Sequence, residues 1–397
     1  MTANNSSARV ASIDIVRGII MLLMTVDHVR ETFYLSHQVS DPMDAASTPP
    51  ALFFTRLAAH FCAPLFVFLT GLAAWLYAHP PGGPRSATGF LLKRGALLLF
   101  LELVVINFAW SGQWPGPVLY LQVMWAIGLS MIALALLHRL PLPWLAALGA
   151  LIVAGHNTLP TLAQLAASFG AGFEPGGAGH MLWTVLEQRG YLASDGAVKV
   201  RISYPLLAWI GVILLGYAAG PLYSRTMAPQ RRVRVLLAAG AAAPALLLVL
   251  RTFNIYGEAL PWAQGTDTLH SAMSFLNFTK YPPSLDFLLL TLGAGMLVLA
   301  WLEPQPRAIP APAAAWRRAC AVFGGAPLFY YLLHLYALLA LQRIASALQG
   351  TGSGRYEFNA VWQLWLASAL LAALLYLPTR WFGRYKRSSG NAWLKYF

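Results

Sequence analysis

A chain of 397 residues, 58% of them hydrophobic and only 10% charged, with a mean hydropathy of +0.58, is excluded from the ordinary soluble domains. Its formal charge of +13 invites nucleic acid or an acidic partner, but the basic residues gather in alternate loops, which membrane topology explains more simply. Only Cys62 and Cys320 are present, expected near opposite faces, so neither a disulfide nor redox chemistry is indicated.

Ten apolar spans, roughly 12–34, 52–78, 90–110, 118–137, 142–159, 203–223, 233–252, 284–302, 327–348 and 360–382, predict an all-α polytopic integral membrane protein with about ten transmembrane helices in a single domain, 1–397. With the N-terminus inside, most of the 27 Lys and Arg residues fall on the cytoplasmic side, among them Arg9, Arg17, Arg85, Arg94, Arg225, Arg307, Lys386 and Lys395. Both termini and the tail 383–397 are therefore expected in the cytoplasm. The segments 160–202 and 253–283 become long outer loops; the first holds a Gly-rich stretch, Gly170–Gly179, before the more helical Met181–Arg189. The Pro-rich 303–315 reads as a linker. No Walker-type loop and no H-E-x-x-H spacing occurs, which removes most support from ATP-driven transport and zinc proteolysis; no metal is expected.

The first span is unlike an anchor because it carries Asp14, Arg17, Asp27, His28, Arg30 and Glu31. Ionisable groups at membrane depth are costly and face a bundle interior or a watery cavity, so this helix predicts one wall of a site. His28 lies about 24 Å above its inner end, and in the second span Arg56, His60 and Pro64 share a face, with His60 roughly 13 Å below the outer surface. The two histidines are thus expected in one pocket beside Asp27. His334 lies roughly 10 Å above the inner surface, on a helix predicted to start at Pro327. Among Tyr330, Tyr331 and Tyr336 it reads first as a packing group and second as part of the site. Asp14 and Arg17 suit a structural ion pair, and Asp286 suits the first turn of a helix after Pro282 and Pro283. Glu102 and Asn107 are buried polar groups that need partners.

Several blocks, in order, resemble one family: Ser12-Ile-Asp-Ile-Val-Arg-Gly18, Asp27-His-Val-Arg30, Phe54-Thr-Arg-Leu-Ala-Ala-His-Phe-Cys-Ala-Pro-Leu-Phe-Val-Phe-Leu-Thr-Gly71, Leu121-Gln-Val-Met-Trp-Ala-Ile-Gly128, Lys280-Tyr-Pro-Pro-Ser-Leu285 and Pro327-Leu-Phe-Tyr-Tyr-Leu-Leu-His334. Together they are similar to bacterial members of the heparan-alpha-glucosaminide N-acetyltransferase catalytic-domain family. The resemblance implies a membrane acyltransferase of the bacterial inner membrane that takes acetyl from cytosolic acetyl-CoA and delivers it to an amino sugar outside. It also implies a catalytic histidine after the first helix with an asparagine near that helix's end, whose nearest equivalents here are His37 and Asp27.

Acyl transfer needs a base, a group that orients it and donors for the oxyanion. His28, His37 or His60 could be the base and Asp27 its partner. Arg30, Arg56, Asn107, Gln122, Lys280, Asp286 and His334 are candidate substrate-binding groups. Arg231, Arg232, Arg234, Arg317 and Arg318 are candidates for the phosphates of coenzyme A. The expected partners are the bilayer, acyl-CoA and a carbohydrate acceptor, with a homodimer left open and nucleic acid excluded. The competing reading is a proton-coupled secondary transporter or flippase, since His and Asp inside a bundle also serve proton coupling.

Overall fold

A computed structural model describes residues 10–168, 177–194, 196–303, 311–349 and 354–397. Arg9, Arg307, most of Gly170–Gly179 and most of the expected linker 303–315 lie outside the described residues. The chain is 72% helix and 4% strand. Its helices are α1 Ala11–Phe33, α2 Pro50–Ala59, α3 Cys62–Ala78, α4 Thr88–Phe100, α5 Asn107–Ser111, α6 Val123–Leu137, α7 Leu142–Gly155, α8 Leu159–Ser168, α9 Ala178–Leu186, α10 Leu207–Ala218, α11 Pro229–Thr252, α12 Thr268–Phe275, α13 Leu285–Leu302, α14 Ala311–Gly325, α15 Pro327–Gln349 and α16 Val361–Ser388. Among the described residues six stretches are long and apolar enough to cross a membrane: Pro50–Ala78, Leu142–Leu165, Pro229–Thr252, Leu285–Leu302, Pro327–Gln349 and Val361–Ser388. Val123–Leu137 and Leu207–Tyr223 are shorter apolar helices.

At 23 residues α1 is about 34 Å long, yet it carries too much charge to count with those six. It is instead the bundle's centre, packed against α2, α3, α13, α14, α15 and α16, with Asp14, Asp27, His28 and Arg30 buried. The close approach is built by small residues. A Cβ on Gly18 would lie 1.9 Å from the Cys320 carbonyl oxygen, and one on Gly324 would lie 1.8 Å from that of Asp14, so α1 and α14 touch backbone to backbone. Gly71 and Gly216 do the same for α3 and α10.

Three departures from the expected spans have local causes. The second span breaks after Ala59 because Pro64 has no N–H to offer the His60 carbonyl one turn back. The third swells into a π-turn at Leu101–Ile106, beside the buried Glu102 and Asn107. Residues 118–121, expected as helix, form strand β1 (Val118–Leu121), which runs parallel to β3 (Lys199–Ile202), itself antiparallel to β2 (Gly190–Ala193). Residues 311–325, which take in the end of the expected linker 303–315, are helix α14.

Candidate functional site

The break at His60 leaves Arg56 in the last turn of α2, directed at α1. Arg56 Nη1 donates to both oxygens of Asp27 at 2.9 and 3.1 Å, and Arg30 Nε donates to Oδ1 at 3.0 Å. Arg30 Nη2 also donates to Glu31 at 3.0 Å. Asp27 therefore holds two buried guanidinium groups, and α2 to α1. The segment 253–283 is held folded by Arg251, buried at the end of α11, which donates to the carbonyls of Leu260, Ser274, Phe275 and Asn277 at 2.7–3.0 Å. That segment delivers Lys280, which is 3% exposed; its backbone N–H donates to Asp41 at 3.2 Å and its ammonium lies 5.1 Å from the Tyr281 ring. Burial raises the Asp41 carboxyl above its ordinary value, against the opposing pull of Arg56 and Lys280.

Next to Asp27 in the chain, His28 turns to α15, where its Nδ1 lies 2.7 Å from His334 Nε2, with the rings nearly coplanar at 9°. Their tautomers follow from the next atom out. His334 Nδ1 lies 2.8 Å from the Tyr330 carbonyl, which can only accept, so Nδ1 carries the hydrogen and the neutral ring's Nε2 is an acceptor. His28 Nδ1 must then donate, which leaves Nε2 of His28 with its lone pair and no hydrogen-bond partner among the described residues. Tyr330 is fixed in turn by Thr25, whose hydroxyl donates to Met21 at 2.9 Å and lies 2.8 Å from the Tyr330 hydroxyl. Trp110 and Tyr331 meet the His28 ring edge to face, at 5.1 and 5.7 Å between centroids. The Tyr331 hydroxyl is buried and has no partner among the described residues.

A cavity of about 1060 Å³ has His28, Asp27, Lys280, Tyr204 and Tyr331 at one end. It runs down the polar side of α1, past Met24, Met21 and Arg17, to an end lined by Arg85, Arg94, Arg225, Arg232, Lys386 and Lys395. Near that end Glu303 accepts from Ser12 at 2.8 Å and pairs with Arg232 at 2.8 Å, while Arg17 donates to the Leu69 carbonyl at 3.1 Å and pairs with Asp14 at 3.6 Å.

Of the residues singled out from the sequence, the fold thus gathers Asp27, His28, Arg30, Arg56, Lys280 and His334. His60 lies beside them against the Phe287 ring, 1% exposed, with Nδ1 unpartnered among the described residues, and it is not on the cavity wall. His37 is elsewhere: exposed in a 3₁₀ turn, stacked on Tyr34 and bonded to Ser36 at 2.9 Å. Asn107 spends its amide on the Glu102 and Tyr120 carbonyls and its oxygen on the Tyr120 N–H, pinning β1 to the π-turn. Glu102 accepts from the Gln122 and Met124 N–H groups and so caps α6, and Gln122 takes part through its backbone. Asp286 is buried in the first turn of α13, away from the cavity, with neither oxygen hydrogen-bonded among the described residues. Arg231, Arg234 and Arg318 are exposed, Arg317 stacks on Trp301 and Trp316, and only Arg232 of these five lines the cavity. Sequence reasoning missed Tyr331, Trp110 and the basic end at Arg85, Arg225 and Lys395 as site groups, although charge clustering had already put those three on one side of the membrane. Among the described residues no His, Cys, Asp or Glu group is arranged to hold a metal ion.

A helical bundle with helices long and apolar enough to cross a membrane, a buried histidine pair and a long cavity with a basic end mark an integral membrane protein. The family described as "Heparan-alpha-glucosaminide N-acetyltransferase, catalytic" matches residues 9–257. The chain belongs to that family of membrane acetyltransferases. The matched range holds Asp27, His28 and Arg56, whereas Lys280 and His334 lie beyond it. No curated protein matches the chain.

Proposed function

We propose that this protein takes an acetyl group from cytosolic acetyl-CoA and transfers it to an amine or hydroxyl of a sugar-type acceptor at the outer face, with His28 as general base. In this reading α1, the continuous helix from α4 through α5, Val123–Leu137 and Leu207–Tyr223 also cross the bilayer, which brings the crossings to about ten, with both termini cytoplasmic. The whole chain works as one domain in the inner membrane of a bacterium. The observation that carries the reading is the cavity, which leads from a rim of Arg and Lys to the unshared nitrogen of His28.

Arg85, Arg225 and Lys395 would hold the phosphates of the donor, and the methionine-lined stretch its thioester arm. His28 Nε2 takes the proton as the acceptor's nitrogen or oxygen attacks the thioester carbon. The new C–N or C–O bond forms, the C–S bond breaks, and the imidazolium returns the proton to the departing thiolate. Tyr331, which lines the cavity beside the His28 ring, supplies a donor to the carbonyl oxygen as it gains charge, its buried hydroxyl turning to the substrate. His334 acts through His28 by holding its tautomer, and Asp27 acts by fixing α1 through its two arginines. Titration calorimetry of acetyl-CoA against the detergent-purified protein tests the donor half: saturable binding that weakens with salt is expected, and no binding would overturn the proposal.

A further inference from the structure

The segment that brings Lys280 to the large cavity is pinned at four places. The Lys280 N–H donates to Asp41 at 3.2 Å, the Thr279 N–H to Glu258 at 2.8 Å, the Met43 N–H to the Asn277 side chain at 3.0 Å, and the Ser284 N–H to the Thr279 carbonyl at 2.9 Å. The side chain held in this way is 3% exposed. It lines the cavity end that holds His28 and Tyr204, and its ammonium is not sealed off as the Tyr331 hydroxyl is.

This cation forms an ion pair with no carboxylate among the described residues. Asp27 is taken up by Arg30 and Arg56, and Asp41 by the Lys280 backbone, so the ammonium is left with Tyr281, a neutral side chain whose ring lies at 5.1 Å. Against the cost of burial, Tyr281 and Asp27 hold the Lys280 pKa above the ordinary lysine value, so the charge is present. A buried lysine is nearly always paired, and a charged one open to a cavity calls for an anion. A second cation carries the same signal outward. The exposed Arg189 guanidinium lies 5.0 Å from the same Tyr281 ring, and it too pairs with no carboxylate among the described residues. Tyr281 donates to the Tyr204 hydroxyl at 3.0 Å, and Tyr204 is itself cavity wall. Arg189, Tyr281 and Lys280 thus mark a route from the surface to the His28 end of the cavity. That end lies away from Arg85, Arg225 and Lys395, where the donor's phosphates are placed above, so the anion that suits Lys280 belongs to the other substrate.

We propose that the preferred acceptor is an acidic sugar, bearing a carboxylate, phosphate or sulfate, and that Lys280 pairs with this group beside His28 while Arg189 draws it in from the surface. This rests on the acetyl-transfer reading above and adds the chemical class of the acceptor. Saturation-transfer NMR on the full chain in nanodiscs, with glucosamine and glucosamine 6-phosphate as probes, reads binding without needing turnover. Wild type should bind the phosphate about 10- to 100-fold more tightly, as one charge-assisted hydrogen bond allows. In Lys280→Gln the two sugars should bind alike, in Lys280→Arg the preference should persist, and acetyl-CoA binding reports that each variant is folded. Arg189→Gln, at an exposed position, should weaken capture of the sugar phosphate at low salt and less at high salt. Equal affinity for the two sugars in wild type overturns the proposal, and so does a preference that survives in Lys280→Gln. Displacement of the sugar phosphate by equimolar inorganic phosphate would reveal a bare anion site and overturn it too. In turnover the preference should appear in KM; a fall in kcat alone in Lys280→Gln, equal for both sugars, would move Lys280 to the thioester oxygen and reject the acceptor role. If binding behaves as expected but no acetyl reaches either sugar in wild type, it is the transfer reading that fails and the acidic-sugar site that stands.

Discussion

Replacing His334 with leucine removes the partner that the His28 Nδ1–H has among the described residues, a hydrogen bond of 2.7 Å between two buried rings. A buried donor left unpaired costs about 1–3 kcal/mol. The ring can escape that cost by moving its hydrogen to Nε2, the atom required as the base. At about 1.4 kcal/mol per factor of ten, the productive tautomer and the transfer rate should fall roughly 5- to 150-fold. His334→Gln offers an amide oxygen to the same N–H and should recover the rate to within about tenfold of wild type. Single-turnover transfer from radiolabelled acetyl-CoA measures both variants, with KM for the donor expected to stay constant because His334 is not on the cavity wall. Wild-type turnover in His334→Leu, or a glutamine variant no better than the leucine one, would refute the tautomer argument.

Gly18→Ala puts a methyl 1.9 Å from a backbone oxygen of α14 and should cost about 1–3 kcal/mol in the unfolding midpoint in detergent, whereas Gly82→Ala, with nothing within 4 Å, should cost almost nothing. Asp27→Asn leaves Arg56 buried without its anion and Arg30 with Glu31 alone, and should destabilise by about 3–5 kcal/mol, visible as a lower midpoint; an unchanged midpoint would mean the cluster does not hold α1 to α2. Joint replacement of Arg85, Arg225 and Lys395 by glutamine should weaken acetyl-CoA binding, more at low than at high ionic strength, while Arg231→Gln with Arg234→Gln, off the cavity, should leave it within about twofold.

The bundle's centre was legible because charge at membrane depth has few explanations: Asp27 and His28 on an otherwise apolar helix could face only an interior. Helical depth arithmetic also brought Arg56 close to Asp27, and the structure joins them. What spacing along one helix could not give was the partner of His28. His60 shares its predicted depth, but the contact went to His334, because α15 packs directly on α1 through Tyr330 and Thr25. Asn107, Gln122 and Glu102 looked like site groups because their partners are backbone atoms of β1 and of the first turn of α6, which no side-chain pattern announces. Helix α14 was hidden for a similar reason: its small residues, Gly324 among them, serve a helix contact and carry little hydropathy. The charge rule groups the basic residues by loop and does not say which of them meet at the cavity, since that depends on how the loops fold back.

The central claim is vectorial transfer through His28, and proteoliposomes of uniform orientation test it most directly. Labelled acetyl-CoA is supplied at the cytoplasmic face and glucosamine at the other. The account predicts label on the sugar at the outer face, with the rate reduced roughly 10²–10⁴-fold in His28→Gln while acetyl-CoA still binds. Undiminished transfer in His28→Gln, or transfer only when donor and acceptor share one face, would contradict it.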